Sequence, residues 1–461
     1  LKTMIPLVLF LSTFLSTYTQ AQMNESGWKA GAASVVITPT QSLWMAGYAA
    51  RDHPAEGLLH DIYAKALMLE DASGNQAVLI TTDLVGIPKG LSDTIRNRIE
   101  REYGLSNAQI LLNSSHTHTG PVLVNALSDI YPLNEQQLAQ VAQYSADLAN
   151  QIVGLVGDAL GKLEPASIFA QNGVARFQVN RRNNNEALLT TQTELKGPND
   201  YAVPVIKVVN AEGTVKAIAF GYACHPTVLS FYQWSGDYPG FAQIALEEKY
   251  PEATALFFQG AGADQNPLPR RTVALAQQYG QTLAAAVERV LSEEMQELSP
   301  QLTTVYSQID LTLNRLPDRE VLTEMVEDAP DYQQRWAQRM LDSLDVGVEL
   351  PDSYPYPLQI WRLGEQTIFS LGGEVVVEYA IKLKQMYGTE VFVAGYSNDV
   401  MAYIPSAKIL QEGGYEGASS QIVYGHTGTW TSDIESNIIQ GMVQLAEEAG
   451  VLKAQSWLLP K

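Results

Sequence analysis

Two hydrophobic rhythms alternate along this chain from Ser34 onward. The first is a set of short β-rich runs, "SVVIT", "YAKALMLED" and "QAVLITTDLVG", each closed by Gly, Pro or Asp. The second has the helical period. "LSDTIRNRIEREYG" sets Ile95, Ile99 and Tyr103 on one face and stops at Gly104, and "EQQLAQVAQYSADLANQIVGLVGDAL" reads as one long helix. "QILLNSS" is the next buried strand. "VPVIKVVN" and "VKAIAFGYAC" form a pair around "AEGT", a helix covers "PGFAQIALEEKY", and "ATALFFQGAGADQNP" is a strand entering a Gly-rich turn. After the helix "TVALAQQYGQTLAAAVERVLSEE" comes an acidic, Pro-punctuated stretch, 316–355, expected to be a helical excursion over one face. A hairpin around "LGEQ", a helix to Tyr387, the strand "VFVAGYSN" and a helix from Asp433 complete the pattern. Strands alternating with helices predict an α/β fold of mixed β-sheets flanked by helices. The sequence shows no internal repeat and no linker, so a single large domain over 22–461 is expected.

Composition narrows the class. The chain has 461 residues, 46% of them hydrophobic, which suits a large globular core. Its 29 basic and 50 acidic residues leave a net charge of -21, which argues against nucleic acid as a partner because phosphate binding needs clustered Lys and Arg. Cys224 is the only cysteine, so neither an internal disulfide nor a Cys-rich metal site is available. Residues 1–21 read as an export signal: Lys2, then the apolar stretch Ile5 to Leu15, then small residues at "TQA". A periplasmic or secreted protein follows, with no membrane-spanning segment in its mature part.

Polar residues at strand ends are where an α/β fold places chemistry. "LLNSSHTHTGP" brings His116 and His118 to the end of a buried run. If the chain stays extended there, both imidazoles lie on one face. That spacing suits two metal ligands, one ligand beside a hydrogen-bonding neighbour, or two loop histidines satisfied locally. "GYACHPTVL" places His225 after another strand, "FSLGGEVVVEY" places Glu374 after two glycines before a helix, and "GYSNDVMAYIPS" places Tyr403 past a third strand. No G-x-S-x-G elbow, P-loop or dinucleotide loop is present. The two-metal H-x-H-x-D-H pattern fails at Thr119 and Gly120. An amidohydrolase barrel would need more late histidines than His225 and His426.

Taken in order, these stretches resemble the catalytic N-terminal region of the neutral ceramidases, zinc-dependent amidases that split ceramide into sphingosine and fatty acid. The resemblance is carried by "AGAASVVITPT", "MAGYAARDHPAEGLLHDIYAKAL", "SSHTHTGP", "CHPTVL", "GGEVVVEY" and "SNDVMAYIPSAKILQEGGYEGAS". It implies a zinc ion held by His116, His225, Glu374 and Tyr403, with His118 beside it handling protons. Arg181, in "QVNRRNNN", is similar to the family's arginine near the substrate.

Two departures accompany the likeness. Where the family has Gly-Asp-Val-Ser-Pro, this chain has "GADQNP", so Asp264 and Pro267 are kept while Asn266 stands in place of the serine. The family's C-terminal β-sandwich is also not expected. Loss of the serine favours attack by a metal-bound hydroxide, with Asp264 and Asn266 in the catalytic set and Asn266 or a nearby main-chain N–H facing the oxyanion. The expected function is an exported zinc hydrolase of an amide, acting on an N-acyl lipid or another small N-acyl compound. The alternatives are an esterase or deacetylase of acylated glycans, and a non-catalytic binding protein on the same scaffold.

Overall fold

The computed structural model describes residues 27–454. The expected export signal falls outside that range. Three successive stretches of chain build the same unit, three strands, a helix, a fourth strand and a second helix. The first unit holds β1 (Trp28–Val36), β2 (Tyr63–Glu70), β3 (Gln76–Thr82), α1 (Lys89–Tyr103), β4 (Ile110–Ser114) and α2 (Glu135–Leu160). The second holds β5 (Glu164–Val174), β6 (Ala202–Asn210), β7 (Val215–Tyr222), α3 (Asp237–Lys249), β8 (Thr254–Gln259) and α4 (Val273–Ser292). The third begins with β9 (Leu302–Thr312), crosses the helices α5 (Arg319–Asp328) and α6 (Asp331–Asp345), and continues with β10 (Ser353–Leu363), β11 (Gln366–Leu371), α7 (Val377–Tyr387), β12 (Phe392–Ala394) and α8 (Ile434–Glu448).

Pairing is also repeated. In each unit the first three strands are antiparallel neighbours and the fourth joins the third in parallel across a helix. β1 and β5 pair antiparallel, fusing the first two units into one sheet of order β8-β7-β6-β5-β1-β2-β3-β4, while the third unit keeps its own sheet. The mixed sheets flanked by helices match the expectation from sequence. The repeat shows in the element order and in the pairing.

Side-chain alternation explains why the strands read as almost continuous apolar runs. On β2, Ala64, Ala66 and Met68 face a core shared with α1 and α2, while Leu67 and Leu69 face a second core common to all three units. On β7, Ile218 and Phe220 pack toward α3 and α4, and Ala217 and Ala219 turn to the common core. β11 does the same, with Phe369 and Leu371 toward its helices and Ile368 inward beside Trp361 and Phe392. The helices supply matching stripes. α2 buries Val141, Leu148, Ile152, Leu155, Val156 and Ala159, and starts from a capping box between Asn134 and Gln137.

Residues 395–398 of the third unit close this assembly. They lie between β4 and β8, with Gly395 N–H donating to Gln259 O at 3.0 Å, Ser114 N–H to Tyr396 O at 3.2 Å, and Asn398 N–H to Leu112 O at 2.6 Å. Asn113 ties all three units together there. Its Nδ2 donates to Gly395 O (2.8 Å) and Ser397 Oγ (3.1 Å), and its Oδ1 accepts from Gln259 N–H (2.8 Å). Every one of these groups is buried.

The topology has one consequence for function. Loops following the first, third and fourth strands of a unit leave the same end of that unit's strands, and such loops from all three units meet around one cleft. The helical excursion α5–α6 is one of them, as expected.

Replacing Asn113 by Ala strands buried backbone and hydroxyl groups, so unfolding free energy should drop by roughly 2–4 kcal/mol. Asn113→Asp should also destabilise, because it turns the donor into a third acceptor facing Gly395 O. Urea titrations of both variants beside wild type measure the effect.

Candidate active site

His116, His118, His225 and Glu374 emerge from those loops within four residues of a strand end, and Tyr403 lies further along the loop after β12. Glu374 and Tyr403 are register partners in a short parallel pair, Glu374–Val375 with Tyr403–Ile404, which sets their side chains next to each other. Gly373 precedes Glu374 at φ +70, and a Cβ there would stand 2.7 Å from Ala402 O, so only glycine fits the turn. His225 is held by the loop after β8. Gly262 passes so close that an added Cβ would meet Cys224 N at 2.5 Å, and its carbonyl accepts from His225 Nδ1 at 2.9 Å.

The donor atoms converge. Glu374 Oε2 lies 3.1 Å from His116 Nε2 and 3.1 Å from His225 Nε2, and Tyr403 OH lies 3.3 Å from His225 Nε2. His118 Nε2 is 3.1 Å from His116 Nε2. The ring nitrogens of His116, His118 and His225 form a buried group that can hold a metal, with all ligand atoms within 4.8 Å of one another.

Hydrogen bonding behind the site separates the three imidazoles. His116 Nδ1 donates to Val85 O and His225 Nδ1 to Gly262 O. A carbonyl only accepts, so each ring in its neutral form leaves the lone pair on Nε2. Metal-ligating histidines are held in this way. His118 is different, since its Nδ1 has no partner and no carbonyl fixes its tautomer.

Electrostatics follow from burial. Desolvation pushes the His225 imidazole down to about 4, with Arg181 adding to the effect. Burial and the neighbouring imidazoles hold His118 well below the ordinary histidine range. Burial opposes the charge of Glu374, but His116 and His225 outweigh it and keep the carboxyl well below its usual value. Glu374 Oε2 therefore faces the Nε2 atoms of two buried rings whose Nδ1 atoms are already committed to carbonyls, an arrangement that can receive a cation.

One sequence expectation needs correction. The chain is not extended through the histidine pair: His116 has φ +66, in the left-handed region, and Thr119 Oγ1 turns back to Ser235. The rings still stand 4.8 Å apart, edge to face. Asp264 also takes a different part. Its Oδ1 accepts from the first N–H of α7, Val377, at 2.9 Å, and its Oδ2 accepts from Asn180 at 2.8 Å. Both oxygens are thus committed to holding the loops of Glu374 and Arg181 in place. Asn266 lines the cleft above the cluster, with its Oδ1 at 3.5 Å from Arg181 Nη1. Arg181 reaches further in and donates to Tyr403 OH at 3.0 Å while pairing with Glu416 at 2.7 Å.

Sequence reasoning missed three side chains that complete the site. Tyr424 OH donates to Glu374 Oε1 at 2.5 Å and Tyr396 OH to Oε2 at 3.4 Å. Glu416 joins Arg181 and Arg182. The Arg-Arg pair and the lone acid in "GGYEGAS" were the available signal for the last. Nothing in the sequence singles out Tyr396 or Tyr424 among 22 tyrosines.

Comparison with known proteins places this geometry. The model for the N-terminal region of the neutral/alkaline non-lysosomal ceramidases matches residues 28–288, more than half of the chain. The chain belongs to that family. Neutral ceramidase 1 of Arabidopsis thaliana is 25% identical over 60% of this chain and 36% of its own length. Neutral ceramidase of Drosophila melanogaster is 23% identical over 51% of this chain and 34% of its own. The chain thus aligns with about a third of the relatives it matches. Among solved structures, a ceramidase complexed with C2 superposes with a TM-score of 0.72 at 16% identity, and Pseudomonas aeruginosa neutral ceramidase with 0.71 at 18%. Each comparison covers 95% of this chain and 77% of the other. These two establish the fold over all three units, including the third, which carries Glu374 and Tyr403. No helix of the described residues is long and apolar enough to cross a membrane.

Low pH should destabilise the metal-free protein through His225. Its folded value of about 4 lies below the ~6.5 of an unfolded histidine, so the unfolded chain takes up the proton first. The contribution to stability is complete above pH ~6.5 and is lost as pH falls toward 4, by up to ~3 kcal/mol for this one group. Denaturant titrations between pH 7 and 4.5 should show the slope, and His225→Gln should flatten it.

Proposed function

We propose that the chain is an exported, zinc-dependent hydrolase of an amide bond in an N-acyl compound, with the ion held by His116, His225, Glu374 and Tyr403. One observation carries the reading. Glu374 Oε2 stands 3.1 Å from both His116 Nε2 and His225 Nε2, and the Nδ1 atoms of the two rings are turned away onto carbonyls. Ligand bonds of ~2.0–2.2 Å in tetrahedral geometry separate ligand atoms by about 3.3–3.5 Å, so the side chains fit a zinc-sized cation with little adjustment. Family membership supports hydrolysis of an amide, and the apolar N-terminal stretch supports export.

Zinc, when bound, supplies Lewis-acid activation of water and of the scissile carbonyl. The remaining work falls to the protein. His118 is neutral and its Nδ1 is free, so it is placed to take a proton from the attacking water and return one to the leaving nitrogen. Arg181 donates to Tyr403 OH, which fixes that oxygen beside His225 and stabilises negative charge on it. Tyr396 and Tyr424 hold the Glu374 carboxylate from both sides. Asn266 offers an amide to the substrate carbonyl from the cleft wall.

The test separates metal from proton transfer. His116→Ala and His225→Ala should each lose bound zinc and activity together. His118→Ala should retain zinc while the rate falls by about 10²–10⁴-fold. Zinc content by mass spectrometry and hydrolysis of a panel of short-acyl amides, before chelation and after zinc add-back, read both quantities. Wild-type protein that binds no zinc, or hydrolyses amides equally well after chelation, would sink the proposal.

A further inference from the structure

The cleft above the metal-type cluster has a lining at odds with the rest of the molecule. The chain carries 29 basic against 50 acidic residues, yet the cleft of about 850 Å³ presents Arg181, Arg182, Arg270 and Arg271 against only Glu186 and Glu416. Three of the four arginines are answered by carboxylates: Arg181 and Arg182 by Glu416, Arg270 by Glu186. Arg271 is not. Among the described residues no carboxylate lies within ion-pair distance of it. Its Nη1 donates instead to Tyr48 OH at 3.0 Å, and its guanidinium stands over the Tyr48 ring, 5.3 Å from the centroid.

That placement is fixed. Tyr48 OH donates in turn to Leu229 O at 2.9 Å, and its ring packs edge-on against His118 with centroids 4.7 Å apart. The Arg271 backbone is pinned at φ +90, with its N–H bonded to Val228 O at 2.7 Å. An exposed side chain thus sits one tyrosine ring away from His118, with the remaining donors of its guanidinium free for a ligand. The apolar side of the cleft is small: Leu268 is its only aliphatic side chain. A long hydrocarbon chain would find arginine, asparagine and tyrosine along most of this wall, and burying it there would strand polar groups.

We infer that the substrate carries an anionic group, a carboxylate or a phosphate, which is held by Arg271 at the mouth of this cleft while its amide lies over His118. This rests on the hydrolase reading above and narrows it to short-acyl, polar, anionic amides. Arg270, one residue away and half-buried, adds to the attraction. A positive cleft in a strongly negative molecule also draws an anionic substrate toward the one place that can hold it.

Binding can be measured apart from catalysis. The probes are N-acetylglycine with its neutral partner N-acetylglycinamide, and N-acetylglucosamine 6-phosphate with N-acetylglucosamine. Titration by NMR or calorimetry uses chelator-treated protein, so that an anion cannot bind through a metal. At least one anion should bind about tenfold or more tightly than its neutral partner, as expected for a charge-assisted contact. The pair that shows the difference distinguishes carboxylate from phosphate. Arg271→Ala should abolish the preference, as should Arg271→Gly, which suits the left-handed backbone and guards against a folding defect. Equal binding of charged and neutral partners, or a preference that survives both substitutions, overturns the inference. Anion preference without hydrolysis of any probe after zinc add-back would leave this inference standing and count against the hydrolase reading. Zinc-dependent hydrolysis with no anion preference would do the opposite.

Discussion

Closure of the curled sheet by residues 395–398 is the constraint from which the site follows. Without that segment, β4 and β8 would be sheet edges with unpaired backbone groups facing a common apolar core. Asn113 answers the difficulty with one amide, bonding at once to the fourth-strand ends of all three units. The loops that continue from those strand ends have no freedom to diverge. His116 follows β4, Asp264 and Asn266 follow β8, and Tyr396 and Tyr403 follow β12. The convergence of these side chains is therefore a property of the closure, and the loops need only present the right side chain at the right turn.

Those turns are where local strain is held. His116 adopts a left-handed backbone, as do Tyr396 and Asn398, and all three are buried non-glycine residues within the closing junction. Asn398 is stabilised there by Leu112, whose N–H donates to its Oδ1, and by Gln359, whose Oε1 accepts from its Nδ2. The rigid surroundings over-determine the conformation, which suits a group of side chains that must hold like dipoles against each other. The Asp264 carboxylate works in the same direction, tying the start of α7 to the Arg181 loop.

Much of this was legible in the sequence, because strands buried on both faces and amphipathic helices leave strong periodic signals. The strand-end positions of His116, His225 and Glu374 were readable for that reason, and their shared chemistry through resemblance. The threefold plan was not readable, since the repeat lies in hydrogen-bond pairing and the loops after β1, β5 and β9 differ in length and content. The histidine pair misled in a smaller way: alternation holds only for extended backbone, and His116 leaves that region. Tyr396 and Tyr424 could not be found because a tyrosine bonded to a buried carboxylate has no local sequence mark.

The loops divide between those that hold the cluster and those that form the rim of the cleft. Loops after third and fourth strands are pinned near the strand end by Asn113, Gly262 and Gly373. Those after first strands are long. They carry Tyr48 and Arg51 from one unit, Arg181 to Glu186 from the second and α5–α6 from the third, and they form much of the rim. Asn266 lies on the boundary between the rim and the cluster. Arg270 and Arg271 join that rim from further along the loop after β8. An incoming molecule meets these rim side chains before it reaches the cluster beneath them.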